Sequence, residues 1–74
     1  MPAQNIVGPQ VRKLRSAKGW SQEELAAHLQ KAGWDIARGT LAKVEARVRC
    51  VSDGELRTLA RVLKVRMEDL YPPA

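Results

Sequence analysis

SQEELAAHLQKAGWDIARGTLAKVE, residues Ser21 to Glu45, holds two short helical patterns, each with its own start signal, separated by a few residues around Gly33. In the first, Ser21 can accept from the backbone N–H of Glu24 while the Glu24 carboxylate reaches back to the Ser21 amide, the reciprocal arrangement of a capping box. Trp20 and Leu25 stand where a hydrophobic staple places its two apolar residues. Leu25, Ala26 and Leu29 then repeat on one side, which predicts a helix over residues 22–32. In the second pattern Asp35 is the best available cap, since Ala37 offers no side-chain acceptor. Ala37, Leu41 and Val44 follow at i, i+4 and i+7 and predict the buried face of a helix over about 37–46. Arg38, Gly39, Ala42 and Lys43 are left on the outer face, which is basic and low in bulk.

Three further helices flank this pair. Pro9 suits a first helical position, with Gly8 before it, so a helix is expected to begin there and end at Gly19, with Val11, Leu14 and Ala17 inward. Arg12, Lys13, Arg15 and Lys18 load that segment with positive charge and no acid. Residues 1–8 are expected to form a flexible arm. Beyond the basic connection Arg47 to Val51, Ser52 with Glu55 repeats the capping-box spacing and Val51 with Leu56 repeats the staple. Leu56, Leu59, Ala60 and Leu63 form the inner stripe of a fourth helix, with Arg57, Arg61 and Lys64 outside. A fifth, from about Met67 to Tyr71, would bury Leu70 before Pro72 and Pro73 stop it, leaving 72–74 as a tail. The expected architecture is an all-α, five-helix bundle with one domain over 9–71.

Composition narrows the function. Seventy-four residues fit one domain, because a chain of this size buries only about 60% of its unfolded surface. That leaves little room for a deep catalytic cleft, and no acid/base pair, nucleophile or metal cluster is evident, so an enzyme, a cofactor and a metal site are not expected. The chain is 45% hydrophobic but only 4% aromatic with no Phe, which points to aliphatic helix packing. Thirteen Lys and Arg against eight Asp and Glu give a net charge of +5, and a polyanion is the natural partner. No run of about 18 apolar residues is present to span a bilayer, and MPAQNIVGPQ lacks the basic start and apolar centre of an export signal. The single Cys50 excludes an internal disulfide and suits a cytoplasmic location. Two helices joined by a short turn in so basic a chain suggest a helix-turn-helix reader of double-stranded DNA.

The order of the five helices, SQEELA opening the second and TLAKVE closing the third, an Arg late in the first helix, and the closing VRMEDLY resemble the lambda-repressor-like, or XRE, helix-turn-helix family over Pro9 to Leu70. That resemblance implies that the third helix enters the major groove. The base-facing positions would then be Arg38, Gly39 and Lys43, with Thr40 near the backbone. Arg38 has the chemistry for this, since a guanidinium can donate to both O6 and N7 of guanine. Gly39 would make no contact but permits close approach. The resemblance also sets Gln22 on a phosphate beside Ser21, at a helix start whose free N–H groups attract anions. Arg47 and Arg49 would grip the backbone further along. Arg15 and Glu45 match a pair that bridges the first and third helices. Two departures stand out: the stretch between Leu29 and Ala37 is longer than in shorter members, and Arg47 occupies a place that is often Gly.

Other residues have plainer readings. His28 has no Cys, His or Asp at ligand spacing and is read as a surface or half-buried residue. Cys50 is read as an ordinary thiol, Trp20 as core, and Trp34 as capping the core, with contact to a second protomer as the other option. The basic residues could also be a solvated face, as charged residues commonly are. The favoured function is a bacterial or phage transcription regulator acting as a homodimer, since one recognition helix reads only a few base pairs. Met67 to Ala74 is the expected dimer surface, and control would come from concentration or a regulatory protein partner. The alternative is a protein-interaction or antitoxin-like adaptor with the same fold, to which the small Gly39 and Ala42 lend some support.

Overall fold

The computed structural model describes residues 4–72. Four α-helices form: α1 Gly8–Ala17, α2 Gln22–Lys31, α3 Arg38–Glu45 and α4 Asp53–Leu63. A 3-10 turn, Met67–Leu70, follows. The expected fifth helix is therefore a single tight turn. Its four residues lie between Arg66 and Tyr71, both extended, so there is no length for an α-helical ladder. Even so, it buries Leu70 completely, as the sequence pattern requires.

The core is aliphatic throughout. Val11 from α1, Leu25 and Leu29 from α2, Leu41 from α3, Leu59 and Leu63 from α4 and Leu70 from the final turn are all sealed from solvent. α3 packs against both α1 and α2, while α4 closes the base of the bundle against α1, α2 and the 3-10 turn. Half-buried Leu14, Trp20, Trp34 and Val51 extend the apolar cluster to its edges. Ala17 lies exposed instead of inward, because α1 ends at that residue.

Local signals explain the two best-defined helix starts. Ser21 and Ser52 each accept from the amide three residues on, and Glu24 and Glu55 each return a carboxylate oxygen to the cap amide. The start of α3 differs from expectation. Its cap is Ala37, with no side-chain hydrogen bond, and Asp35 lies exposed in the preceding turn. The buried residue here is Ile36, not Ala37, because the turn is fastened differently. Gly33 takes φ +101°, which only glycine adopts without strain, and the amide of Trp34 then donates to the carbonyl of Leu29. The side-chain amide of Gln30 donates to the Ile36 carbonyl at 2.7 Å. Thus the turn is bonded back onto α2 at both ends.

Residues 4–8 are not a loose arm; Met1 to Ala3 of the expected arm, and Pro73 and Ala74 of the expected tail, lie outside the described residues. Asn5 is the fastening. Its Oδ1 accepts from the amide of Gly8, the first residue of α1, at 2.8 Å, while its Nδ2 donates to the carbonyls of Val44 and Arg49. The amide of Gln4 donates to the Arg47 carbonyl, and Val7 is buried. Gly8 is the first residue of α1, one earlier than expected, and a Cβ there would collide with the carbonyl oxygens of Val44 and Glu45.

The carbonyls facing Gly8 are backbone and cannot swing aside. Gly8→Ala should therefore cost about 1–3 kcal/mol by overpacking. At roughly 4–8 °C per kcal/mol for a domain of this size, thermal unfolding followed by circular dichroism will register the loss. A melting temperature equal to that of the parent would show that α1 does not need this approach.

Candidate nucleic-acid interface

The site is built around one buried carboxylate. Glu45, the last residue of α3, is 7% exposed and is the one buried charged side chain among the described residues. Arg15 of α1 grips it with two donors, Nε to Oε2 at 2.7 Å and Nη2 to Oε1 at 3.1 Å. The remaining Arg15 nitrogen, Nη1, donates to the carbonyl of Trp20 at 2.7 Å. Gln22, the first residue of α2, donates Nε2 to Glu45 Oε1 at 3.1 Å. One acid thus meets α1 and the start of α2, and Arg15 carries the junction on to the α1–α2 connection. The paired fork geometry is the strong form of such contacts, and no buried side-chain polar atom among the described residues lacks a partner.

This junction fixes where α3 points. Arg38, Gly39 and Lys43 are exposed on α3, and Thr40 beside them is half-buried. The expected base-facing set therefore shares one accessible helix surface. With no capping side chain at Ala37, the first turn of α3 keeps backbone donors free of intrahelical partners at the same end as Arg38.

The expected phosphate contacts divide. Ser21 is exposed at the start of α2, but its hydroxyl accepts from the Glu24 amide. Gln22 is half-buried and engaged with Glu45, a role that its place after a cap did not reveal. Arg47 adopts a left-handed φ of +66° and so ends α3 without glycine; its Nε donates to the carbonyl of Asn5. Arg49 is placed differently from expectation. Its two terminal nitrogens donate to the two carboxylate oxygens of Glu55 at 3.1 and 3.2 Å, and the guanidinium lies 5.9 Å from the centre of the Trp34 ring. Arg49 thus binds the exit from α3 to the start of α4. The Glu55 carboxyl sits below its ordinary range mainly because Arg49 donates to it, and the Arg49 guanidinium is raised for the same reason.

The surrounding charge is largely unpaired. Among the described residues, only Arg15, Arg49 and Arg66 of the thirteen Lys and Arg take part in ion pairs. Trp20 is half-buried, stacked on His28 at 4.1 Å between ring centres, with Lys18 Nζ at 5.4 Å from its ring. His28 is exposed, and no group of three metal-ligating side chains occurs among the described residues. Cys50 is exposed with its Sγ 3.2 Å from Gln4 Oε1. No described helix is long and apolar enough to cross a membrane. Sequence reasoning missed Asn5, Gln30 and the pairing of Glu55 with Arg49. An Asn three residues before the Gly8 amide was a readable side-chain acceptor for the helix start; the other two depend on how the chain closes on itself.

Two consequences are measurable. Glu45→Ala strands the Arg15 charge and should cost about 3–5 kcal/mol, whereas replacing Arg15 and Glu45 together by Leu should recover part of that loss. Equal melting temperatures for parent and Glu45→Ala would rule this out. For Glu55, a depressed folded pKa means that its stabilisation is complete above the unfolded value of about 4.3 and is lost as pH falls through the lower folded value. Melting temperatures from about pH 6 down to about pH 2 should therefore fall more steeply for the parent than for Glu55→Gln. Parallel curves would remove the ion pair from the stability of the domain.

A family model for helix-turn-helix domains matches residues 11–70. Among solved structures, the restriction-modification controller protein C.AhdI from Aeromonas hydrophila is 34% identical, with a TM-score of 0.76 over 88% of this chain and 87% of that one. The hypothetical transcription factor NHTF from Neisseria is 26% identical, with a TM-score of 0.80 over 97% of this chain and 77% of that one. A comparison with curated protein sequences gives no significant match. With α2 and α3 meeting across a glycine turn and Arg15 locked to Glu45, the chain belongs to the XRE-type, lambda-repressor-like helix-turn-helix family of DNA-binding transcription regulators.

Proposed function

We propose that this protein binds one double-stranded operator sequence in the bacterial cytoplasm as a homodimer and regulates transcription there. The observation that carries the reading is the exposed face of α3. Arg38, Gly39 and Lys43 are exposed, and the Arg38 and Lys43 side chains form no hydrogen bond or ion pair among the described residues, while the opposite face is sealed by Leu41, Val44 and the Glu45 junction. A rigid helix with a free guanidinium near its start can enter the major groove and donate to a guanine edge. Lys43, one turn on, reaches a second base or a phosphate, and Thr40 lies at the groove wall. Gly39 lets the helix backbone come close.

Ser21, Gln22 and Arg47 would hold phosphates on either side, supported by the partial positive charge at the start of α2. Gln22 keeps its tie to Glu45 through one amide hydrogen and has a second hydrogen to offer. Arg49 contributes to this reading by bracing the exit from α3, and its Nε–H and second Nη2–H are left to offer a phosphate. The likeness to a restriction-modification controller and to a transcription factor supports a regulatory role. Two protomers would set their α3 helices about 34 Å apart on one face of the duplex. The exposed Met67 and Tyr71 remain the proposed contact between copies.

Selection of bound sites from random duplex DNA should return a pseudo-palindrome with a guanine in each half-site. Arg38→Ala should then lose about 1–3 kcal/mol at that base and relax the preference for it. A selection that returns no sequence, with binding insensitive to salt, would instead favour the adaptor role.

A further inference from the structure

Between α1, the start of α2 and the end of α3 lies a cleft of about 200 Å³, lined by Arg12, Arg15, Gln22, Ala42, Glu45 and Ala46. Its floor is the Arg15–Glu45 pair, whose charges cancel, with the Gln22 amide donating to the same acid. Arg12 is different. It is exposed, one helical turn before Arg15, and has no ion pair or side-chain hydrogen bond among the described residues. The opposite wall is made of Ala42 and Ala46, which leave the cleft open where longer side chains would fill it.

We infer that this cleft is a phosphate seat and that Arg12 is the residue that holds a DNA backbone oxygen in it. The inference rests on the proposed DNA-binding function and adds α1 to an interface so far drawn from the start of α2, α3 and the exit from α3. Ala42 of α3 and Ala46, the residue that caps its end, stand four and eight residues after Arg38, along the same side of the helix. A phosphate in the cleft therefore belongs to the strand flanking the groove into which Arg38 reaches. The ligand is an anion because the unneutralised charge in the cleft is the Arg12 guanidinium, and because the α2 start adds partial positive charge. A duplex backbone fits better than an acidic peptide, since the cleft adjoins the exposed face of α3. Its role is positioning without sequence choice, as is usual for phosphate contacts.

The test compares the full chain with Arg12→Ala and Arg12→Lys, binding both a selected operator and an unrelated duplex over a range of salt. Arg12→Ala should weaken both duplexes alike, by about tenfold at low salt, and lower the slope of log affinity against log salt by about 0.9. Its melting temperature should stay at the parent value, and Arg12→Lys should recover most of the slope. A scan of single neutral methylphosphonates should identify a position that weakens the parent but leaves Arg12→Ala unaffected. If the parent binds the operator and Arg12→Ala leaves affinity and slope unchanged, the phosphate seat is wrong while the proposed function stands. A loss confined to the operator would make Arg12 a base reader and equally overturn the seat. Should the parent bind no duplex, and Arg12→Ala disrupt only capture of an acidic peptide, both readings fall.

Discussion

Glu45 is where the tertiary structure is decided. Burying a carboxylate is costly, and on balance such a pair adds little stability. What it supplies here is geometry: Arg15 can satisfy Glu45 with two donors only if α1 and α3 keep one distance and one rotation. The third donor, from Gln22, extends the constraint to α2. Three helices whose apolar faces could otherwise slide over an aliphatic core are pinned at one point. The aliphatic core supplies cohesion, and the acid supplies register.

The same logic continues around α3. Asn5 donates to the Val44 carbonyl and to Arg49, and Gly8 lets α1 come close to the same end of the helix. At the other end, Gln30 and the Trp34 amide bond the turn onto α2, and buried Ile36 anchors it in the core. Arg49, paired with Glu55 and lying over Trp34, ties the exit of α3 to α4. A helix of eight residues is marginal by itself, yet this one is held from both ends and from below. Its outer face is thereby free to carry Arg38 and Gly39 without contributing to stability.

The features legible in the sequence are those set by neighbours a turn apart. Ser21 with Glu24, Ser52 with Glu55, and the leucine stripes of α2 and α4 each depend on a local spacing, and the structure reproduces them. The Arg15–Glu45 pair was reached only through resemblance, since thirty residues separate the partners and no spacing rule links them. Asp35 misled because a side-chain acceptor is a preference, whereas the bond from Gln30 to Ile36 is a contact that fixes where α3 can begin. Residues 1–8 read as an arm because they have no periodicity, yet Asn5 forms three hydrogen bonds with partners far along the chain or one turn away. The pairing of Arg49 with Glu55 was not legible because that acid lies in the capping box of the next helix, already accounted for by Ser52.

Arg47 leaves α3 in a left-handed conformation that a side chain enters only with strain. A glycine would relax that corner but carry no charge. On the proposed reading, robustness of the fold and hold on the operator pull in opposite directions at this one position. Variants drifting toward a hardier domain would be drawn to relieve the corner and would loosen their grip, while variants selected for tight binding would keep the tension. The exit of the recognition helix is thus a place where the compromise between endurance and affinity is written in a single backbone angle.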